Sequence, residues 1–173
     1  MILIALGSNL PSAAGPPAQT IAAALATLKR SGITLVKVSR LYSSAAWPDP
    51  ADPSFVNTVA QVTTTLQPYE LLESLHGIEE SFGRVRGARN APRTLDMDIL
   101  DYNGRIECGP PALPHPRLEG RPFVLVPLAE IAPAWWHPVL SRTAAELLAA
   151  LPGQGDGVAP LCSTNAGAME SGP

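Results

Sequence analysis

Leu95-Asp96-Met97-Asp98-Ile99-Leu100 alternates apolar and acidic residues, and that two-residue period is the period of a strand. Side chains two apart on a strand share a face, so Asp96 and Asp98 point the same way. From a rise of about 3.3 Å per residue, their Cβ atoms stand roughly 6–7 Å apart. The chain around this segment must therefore build a sheet that carries two carboxylates on one surface.

Two carboxylates on one face, with no cation between them, repel. A hard divalent cation removes the repulsion, and Mg²⁺ takes one or two carboxylates together with substrate phosphates. Directly before the strand, Gly83 to Thr94 holds Arg84, Arg86, Arg89 and Arg93, four of the twelve cationic residues. Arginine presents a planar fork that matches phosphate oxygens. Pro92-Arg93-Thr94 leads straight into the strand, so Arg93 is held close to the acidic pair. Two readings stand side by side here: a solvated loop beside a strand edge that faces water, and metal-assisted chemistry on a phosphate-bearing substrate.

The rest of the chain sets the frame. Met1–Leu6 is a continuous apolar run suited to a buried strand, broken by Gly7-Ser8-Asn9, which alone is ordinary turn chemistry. Gln19–Arg30 has helical apolar spacing, with Lys29 and Arg30 at its end and Gly32 as its stop. Ile33–Tyr42 reads as a second strand of plain core character and Phe55–Thr65 as a third. Between them runs a proline-rich loop with one large aromatic, Trp47, either a hydrophobic plug or a ligand-stacking group. Pro68 opens a helix that Gly83 ends, with His76 and Glu79 three apart on it. Asn103-Gly104 is a hairpin signal, with Arg105-Ile106-Glu107 as a short return strand. Phe123–Ile131 and Thr143–Leu151 read as helices, with Thr143 as an N-cap. Pro152–Pro173 is small, polar and glycine-rich, without Lys or Arg, and is expected to be a mobile tail.

Strand, helix, strand, strand, helix, strand is the order of a ferredoxin-like α+β domain: an antiparallel sheet with helices packed on it and, here, an added hairpin. The expected division is one domain over residues 1–151 and a flexible tail over 152–173. A net charge of −3 argues against a general nucleic-acid binder, whose footprint is a basic excess. Cys108 and Cys162 have no metal-ligand spacing around either, and no apolar run of about 18 residues or secretory leader is present, so a cytoplasmic protein off the membrane is expected.

Several of these segments carry a family resemblance. GRVR, then PRTLDMDIL, resembles the signature of the 6-hydroxymethyl-7,8-dihydropterin pyrophosphokinases of folate biosynthesis. Gly7-Ser8-Asn9, Phe55-Val56-Asn57, Pro114-His115-Pro116 with Arg121 and Phe123, and Pro127-Leu128-Ala129-Glu130-Ile131-Ala132-Pro133 follow the family order over residues 1–151. The resemblance implies the same ferredoxin-like fold. It also implies transfer of pyrophosphate from ATP to 6-hydroxymethyl-7,8-dihydropterin, leaving AMP. Two Mg²⁺ on Asp96 and Asp98, charge stabilisation by Arg84 and Arg93, and ATP contacts from Arg86, Glu79, His76, Ile99, His115 and Arg121 are implied as well. Ser44, Trp47, Phe55, Asn57 and Phe123 are the implied pterin contacts. His76 stands where the family often has Gln, and Asn90 where some members have Trp. Asp98 and a metal-bound hydroxyl both remain as routes to deprotonation. A monomer is expected. The alternatives are a non-catalytic ferredoxin-like ligand-binding module and another Mg-dependent nucleotide transferase.

Overall fold

A computed structural model describes residues 1–47, 49–85 and 91–161. The central sheet is built from β1 (Ile2–Ser8), β2 (Thr34–Val38), β3 (Tyr42–Ser44), β4 (Phe55–Thr63), β5 (Asp96–Tyr102) and β8 (Val158–Pro160). Its helices are α1 (Pro17–Leu28), α2 (Pro68–Ser81), α3 (Pro122–Ile131) and α4 (Ala144–Ala150), and β6 (Trp136–His137) with β7 (Arg142–Thr143) makes a separate two-stranded ribbon. Strand order is β5-β1-β4-β3-β8, all antiparallel, with β2 also paired to β4. β1-α1-β2, β4-α2-β5 and the order β5-β1-β4-β2 are those of a ferredoxin-like α+β domain, as expected.

The continuous apolar run of β1 is explained by helices on both faces of the sheet. Ile2, Ile4 and Leu6 pack with Met97 and Ile99 of β5 under Ile21 and Leu28 of α1 and Leu71, Leu75 and Ile78 of α2. Leu3 packs on the other face with Val59 and Leu100 against Val124, Leu125 and Leu128 of α3 and Leu147 of α4. Burying a side chain of this size contributes about 1.5–3 kcal/mol, so the two cores fix which face each strand residue takes. Helix starts follow local chemistry. Pro17, Pro68 and Pro122 stand in first turns, where a missing amide costs nothing. Thr143 caps α4 as expected: its Oγ1 accepts from the Glu146 amide at 3.2 Å, and its own amide donates to Glu146 Oε2 at 2.7 Å. Glu130 of α3 accepts from the Arg40 amide, Arg40 Nε and Tyr42 Oη, which locks α3 to the corner between β2 and β3.

Three expectations change. β2 is exposed along its length rather than core, because among the described residues it pairs only with β4 and its register slips between Leu35 and Lys37. The return strand at Arg105–Glu107 does not form. Asn103 and Gly104 take the positive φ of 53° and 70° that the turn needs. Beyond it only Glu107 bridges, to Leu113, since Pro110, Pro111 and Pro114 have no amide to donate to a ladder. The added hairpin is instead β6–β7. Part of the span expected to be mobile is built into the sheet: Val158–Pro160 covers the outer edge of β3, and the Leu161 amide donates to the Leu41 carbonyl at 2.8 Å. Residues 162–173, the remainder of that tail, lie outside the described residues.

Candidate functional site

The site lies at one end of the face that α3 and α4 cover elsewhere. Directly paired residues in an antiparallel sheet share a face. Asp96 pairs with Gly7, and Gly7 with Asn57. One step along, Asp98 pairs with Ala5, and Ala5 with Val59. Phe55 is two residues from Asn57 and pairs with Ser44. Asp96, Asp98, Phe55, Asn57 and Ser44 therefore all project from the same surface, as the strand period predicts.

Gly7 is the open floor between the aspartates and Asn57. A Cβ there would stand 3.2 Å from Asn57 Oδ1 and 3.8 Å from Phe55 Cδ1. Asn57 is buried, and its Nδ2 donates to Ser44 Oγ at 3.0 Å. That bond fixes the amide and turns Oδ1 toward the space above Gly7.

Cations close around the two carboxylates. Arg84 reaches Asp96 Oδ1 at 3.2 Å and Arg93 reaches Asp96 Oδ2 at 2.9 Å. Arg121 lies 3.5 Å and His115 Nε2 3.7 Å from Asp98 Oδ2. Two of these arginines also lie over aromatic rings, Arg93 at 5.6 Å from the Phe55 centroid and Arg121 at 5.7 Å from that of Phe123. Arg84 Nη1 is buried and has no hydrogen-bond partner among the described residues.

His115 arrives by an irregular route. Its amide donates to the Leu100 carbonyl at 2.9 Å, where a return strand would have bonded. Its Nδ1 accepts from the Arg117 amide at 3.2 Å, so in the neutral ring Nε2 carries the proton and faces Asp98. Burial lowers its pKa, Asp98 opposes that, and Arg121 and Arg117 add to it. Burial also lowers the Arg121 pKa, again against Asp98.

Glu79 and Ile99 are placed differently from the other candidates. The Glu79 carboxylate is buried and accepts the Met97 amide at 2.7 Å, on the core side of β5. Burial pushes its pKa up to about 7, the Met97 bond lowers it, and Asp96 and Asp98 raise it. Ile99 is buried in the core beneath α1 and α2, so its side chain faces away from the carboxylates. His76 lies on α2 with Nδ1 3.9 Å from Glu73. Trp47 is 70% exposed on its loop. Arg86, with Arg89 and Asn90, lies outside the described residues. Gly7 and Asn9 belong to the Gly-Ser-Asn segment that follows the family order, but neither stands among the sequence-derived site residues. Gly7 lines the site and Asn9 braces it; the Gly-Ser-Asn break after an apolar strand, with its place in the family order, was the available signal.

Asp96 and Asp98, half-exposed on one face, are hard oxygen donors of the number Mg²⁺ takes from protein when phosphates complete its shell, so the donor set fits that ion. An antiparallel α+β sheet carrying such a constellation defines a phosphoryl-transfer class of site.

Comparison with known proteins narrows the class. The family model for 7,8-dihydro-6-hydroxymethylpterin-pyrophosphokinase matches residues 3–133, and the chain belongs to that family. It is 44% identical over 156 residues to the 2-amino-4-hydroxy-6-hydroxymethyldihydropteridine pyrophosphokinase of Pseudomonas aeruginosa, covering 89% of this chain and 93% of that one. It is 39% identical over 148 residues to the protein of the same name from Synechocystis, covering 84% and 73%. A triple mutant of Plasmodium falciparum HPPK-DHPS solved with pteroate has the same fold, with a TM-score of 0.62 at 14% identity. That match covers 84% of this chain and 42% of the larger one.

Proposed function

We propose that this chain transfers the β,γ-pyrophosphoryl group of ATP to the hydroxymethyl oxygen of 6-hydroxymethyl-7,8-dihydropterin, a step of folate biosynthesis. The new bond joins that oxygen to the β-phosphorus. The bond from the β-phosphorus to the α,β-bridging oxygen breaks, AMP leaves, and the hydroxyl proton is released. The observation that carries this reading is the shared face: Asp96 and Asp98 stand in one surface with Phe55 and Asn57, and Arg84, Arg93, Arg121 and His115 ring the carboxylates. Family membership supports it.

Asp96 and Asp98 would hold two Mg²⁺, which neutralise triphosphate charge and draw electron density from the β-phosphorus. Arg84 and Arg93 leave Asp96 for the phosphates and stabilise charge on the transferring group and on AMP. Arg121 and the neutral His115, through its Nε2 proton, donate to phosphate oxygens from the Asp98 side. Phe55 and Phe123 offer ring faces to the pterin, and Asn57 Oδ1 accepts from an N–H on its edge. Holding the two substrates at this spacing supplies much of the acceleration, because bimolecular attack becomes intramolecular. Among the described residues no helix is long and apolar enough to cross a membrane. A monomer acting in the cytoplasm is part of the proposal.

The test is to incubate the protein with ATP, Mg²⁺ and the dihydropterin and identify the nucleotide formed. AMP that appears only with the pterin and disappears in Asp96→Ala is the expected result. ADP as the product, or pterin binding without turnover, overturns it.

A further inference from the structure

Asn9, 3% exposed at the end of β1, joins three segments that are far apart in sequence. Its Oδ1 accepts the Arg93 amide at 2.7 Å, across 84 residues. Its Nδ2 donates to the Pro53 carbonyl at 3.0 Å, across 44 residues. The backbone amides of Asn9 and Leu10 both donate to the Arg93 carbonyl at 3.1 Å, so Arg93 is held through its amide and its carbonyl together. Only a primary amide of this length supplies an acceptor in one direction and a donor in the other. Asp cannot donate to Pro53, and Ala makes neither bond.

The two partners belong to the two halves of the site. Pro53 lies two residues before Phe55, in the loop that leads into β4. Arg93 lies three residues before Asp96, with its Nη1 on that carboxylate and its guanidinium over the Phe55 ring. Displacing the Arg93 backbone moves a cation away from both. We infer that Asn9 is a positioning residue: its single side-chain amide sets the Phe55 loop and the Arg93 segment in register with each other, so that the pterin half and the phosphate half of the site move as one. This rests on the functional reading above for what the halves bind. The tie itself is independent of that reading.

Three chains test it: the natural protein, Asn9→Asp and Asn9→Ala. Each is followed by steady-state kinetics, melting, and amide hydrogen exchange over 49–55 and at Arg93. Asn9→Asp keeps the acceptor for the Arg93 amide and loses the donor to Pro53. It is expected to speed exchange over 49–55, leave the Arg93 amide slow, and raise KM for the dihydropterin about tenfold, with a smaller fall in kcat. Asn9→Ala loses both bonds. It is expected to release the Arg93 amide as well and to lower kcat by a further factor of about ten. A lower melting temperature with KM and kcat unchanged means a merely structural residue and overturns the inference, as does an identical profile for the two variants. If neither variant folds, Pro53→Gly loosens the loop and leaves Asn9 in place. It should reproduce the KM increase with a slow Arg93 amide, and an unchanged KM overturns the inference. If the natural protein gives no AMP with the pterin, the reaction is wrong, and the exchange pattern alone still decides the tie.

Discussion

Glu79 on α2 holds the amide of Met97 at 2.7 Å, and Met97 is the residue between the two aspartates. A carboxylate buried on the core side thus fixes the strand whose opposite face carries Asp96 and Asp98. Among the described residues β5 pairs with β1 only, and Glu79 satisfies an amide on its other edge.

That burial has a pH signature. The Glu79 carboxyl is raised from 4.5 to about 7. At low pH it is protonated in both the folded and the unfolded chain, and its stabilising contribution is complete. As pH rises from about 4.5 to about 7 the unfolded chain loses its proton first, and stability falls. The contribution lost is on the order of 2 kcal/mol after discounting for water near the group. Glu79→Gln keeps an acceptor for Met97 and removes the titration. The difference between the two melting curves should shrink toward pH 5 and widen toward pH 7.5, and a constant difference would contradict the buried carboxyl.

Arg93 is bound in geometry as well as charge, through Asp96, the Ala91 carbonyl and the Phe55 ring. Arg93→Ala should lower kcat roughly 10²–10³-fold, the size of losing one preorganised donor to a developing charge. Arg93→Lys should recover little of it, because a point charge replaces a planar fork. Recovery above half of the natural rate in a steady-state assay would show that charge alone suffices.

Gly7→Ala tests the floor of the site. The added methyl group meets Asn57 Oδ1 at 3.2 Å, tighter than ordinary contact. Either Asn57 turns from Ser44 or the strands part. KM for the pterin should rise roughly tenfold, towards the lower end of the range for overpacking. Binding of Mg·ATP alone, measured by calorimetry, should change much less, because the clash is on the Asn57 side.

His115 should titrate below its ordinary range. Burial and the neighbouring arginines lower its pKa from 6.5, so at pH 7 the ring is neutral with the proton on Nε2. Nitrogen chemical shifts of the imidazole report both the midpoint and the tautomer. A midpoint above 6.5 would reverse the sign of the electrostatic argument.

Ending the chain at Gly157 removes β8 and uncovers the edge of β3. Loss of that pairing and of the Leu161 to Leu41 bond should destabilise the protein by about 1–3 kcal/mol, read in urea unfolding.

The sequence alone determined whatever depends on neighbours along the chain. The Leu95–Leu100 alternation put two carboxylates on one face, the Phe55-Val56-Asn57 segment put an aromatic and an amide on one side of β4, and Pro68 and Thr143 marked helix starts. These are consequences of strand and helix periods and of capping, which act over a few residues. Tertiary structure decided which strand lies beside which, and with it the rest. The exposure of β2, the docking of Val158–Pro160 on β3 and the burial of Glu79 follow from partners many residues away. So does the change of Asn9 from a turn residue into a brace between Pro53 and Arg93. A side chain's hydrogen-bonding capacity is written in its own chemistry, but the groups that satisfy it, and the water excluded around it, are set only when distant segments meet.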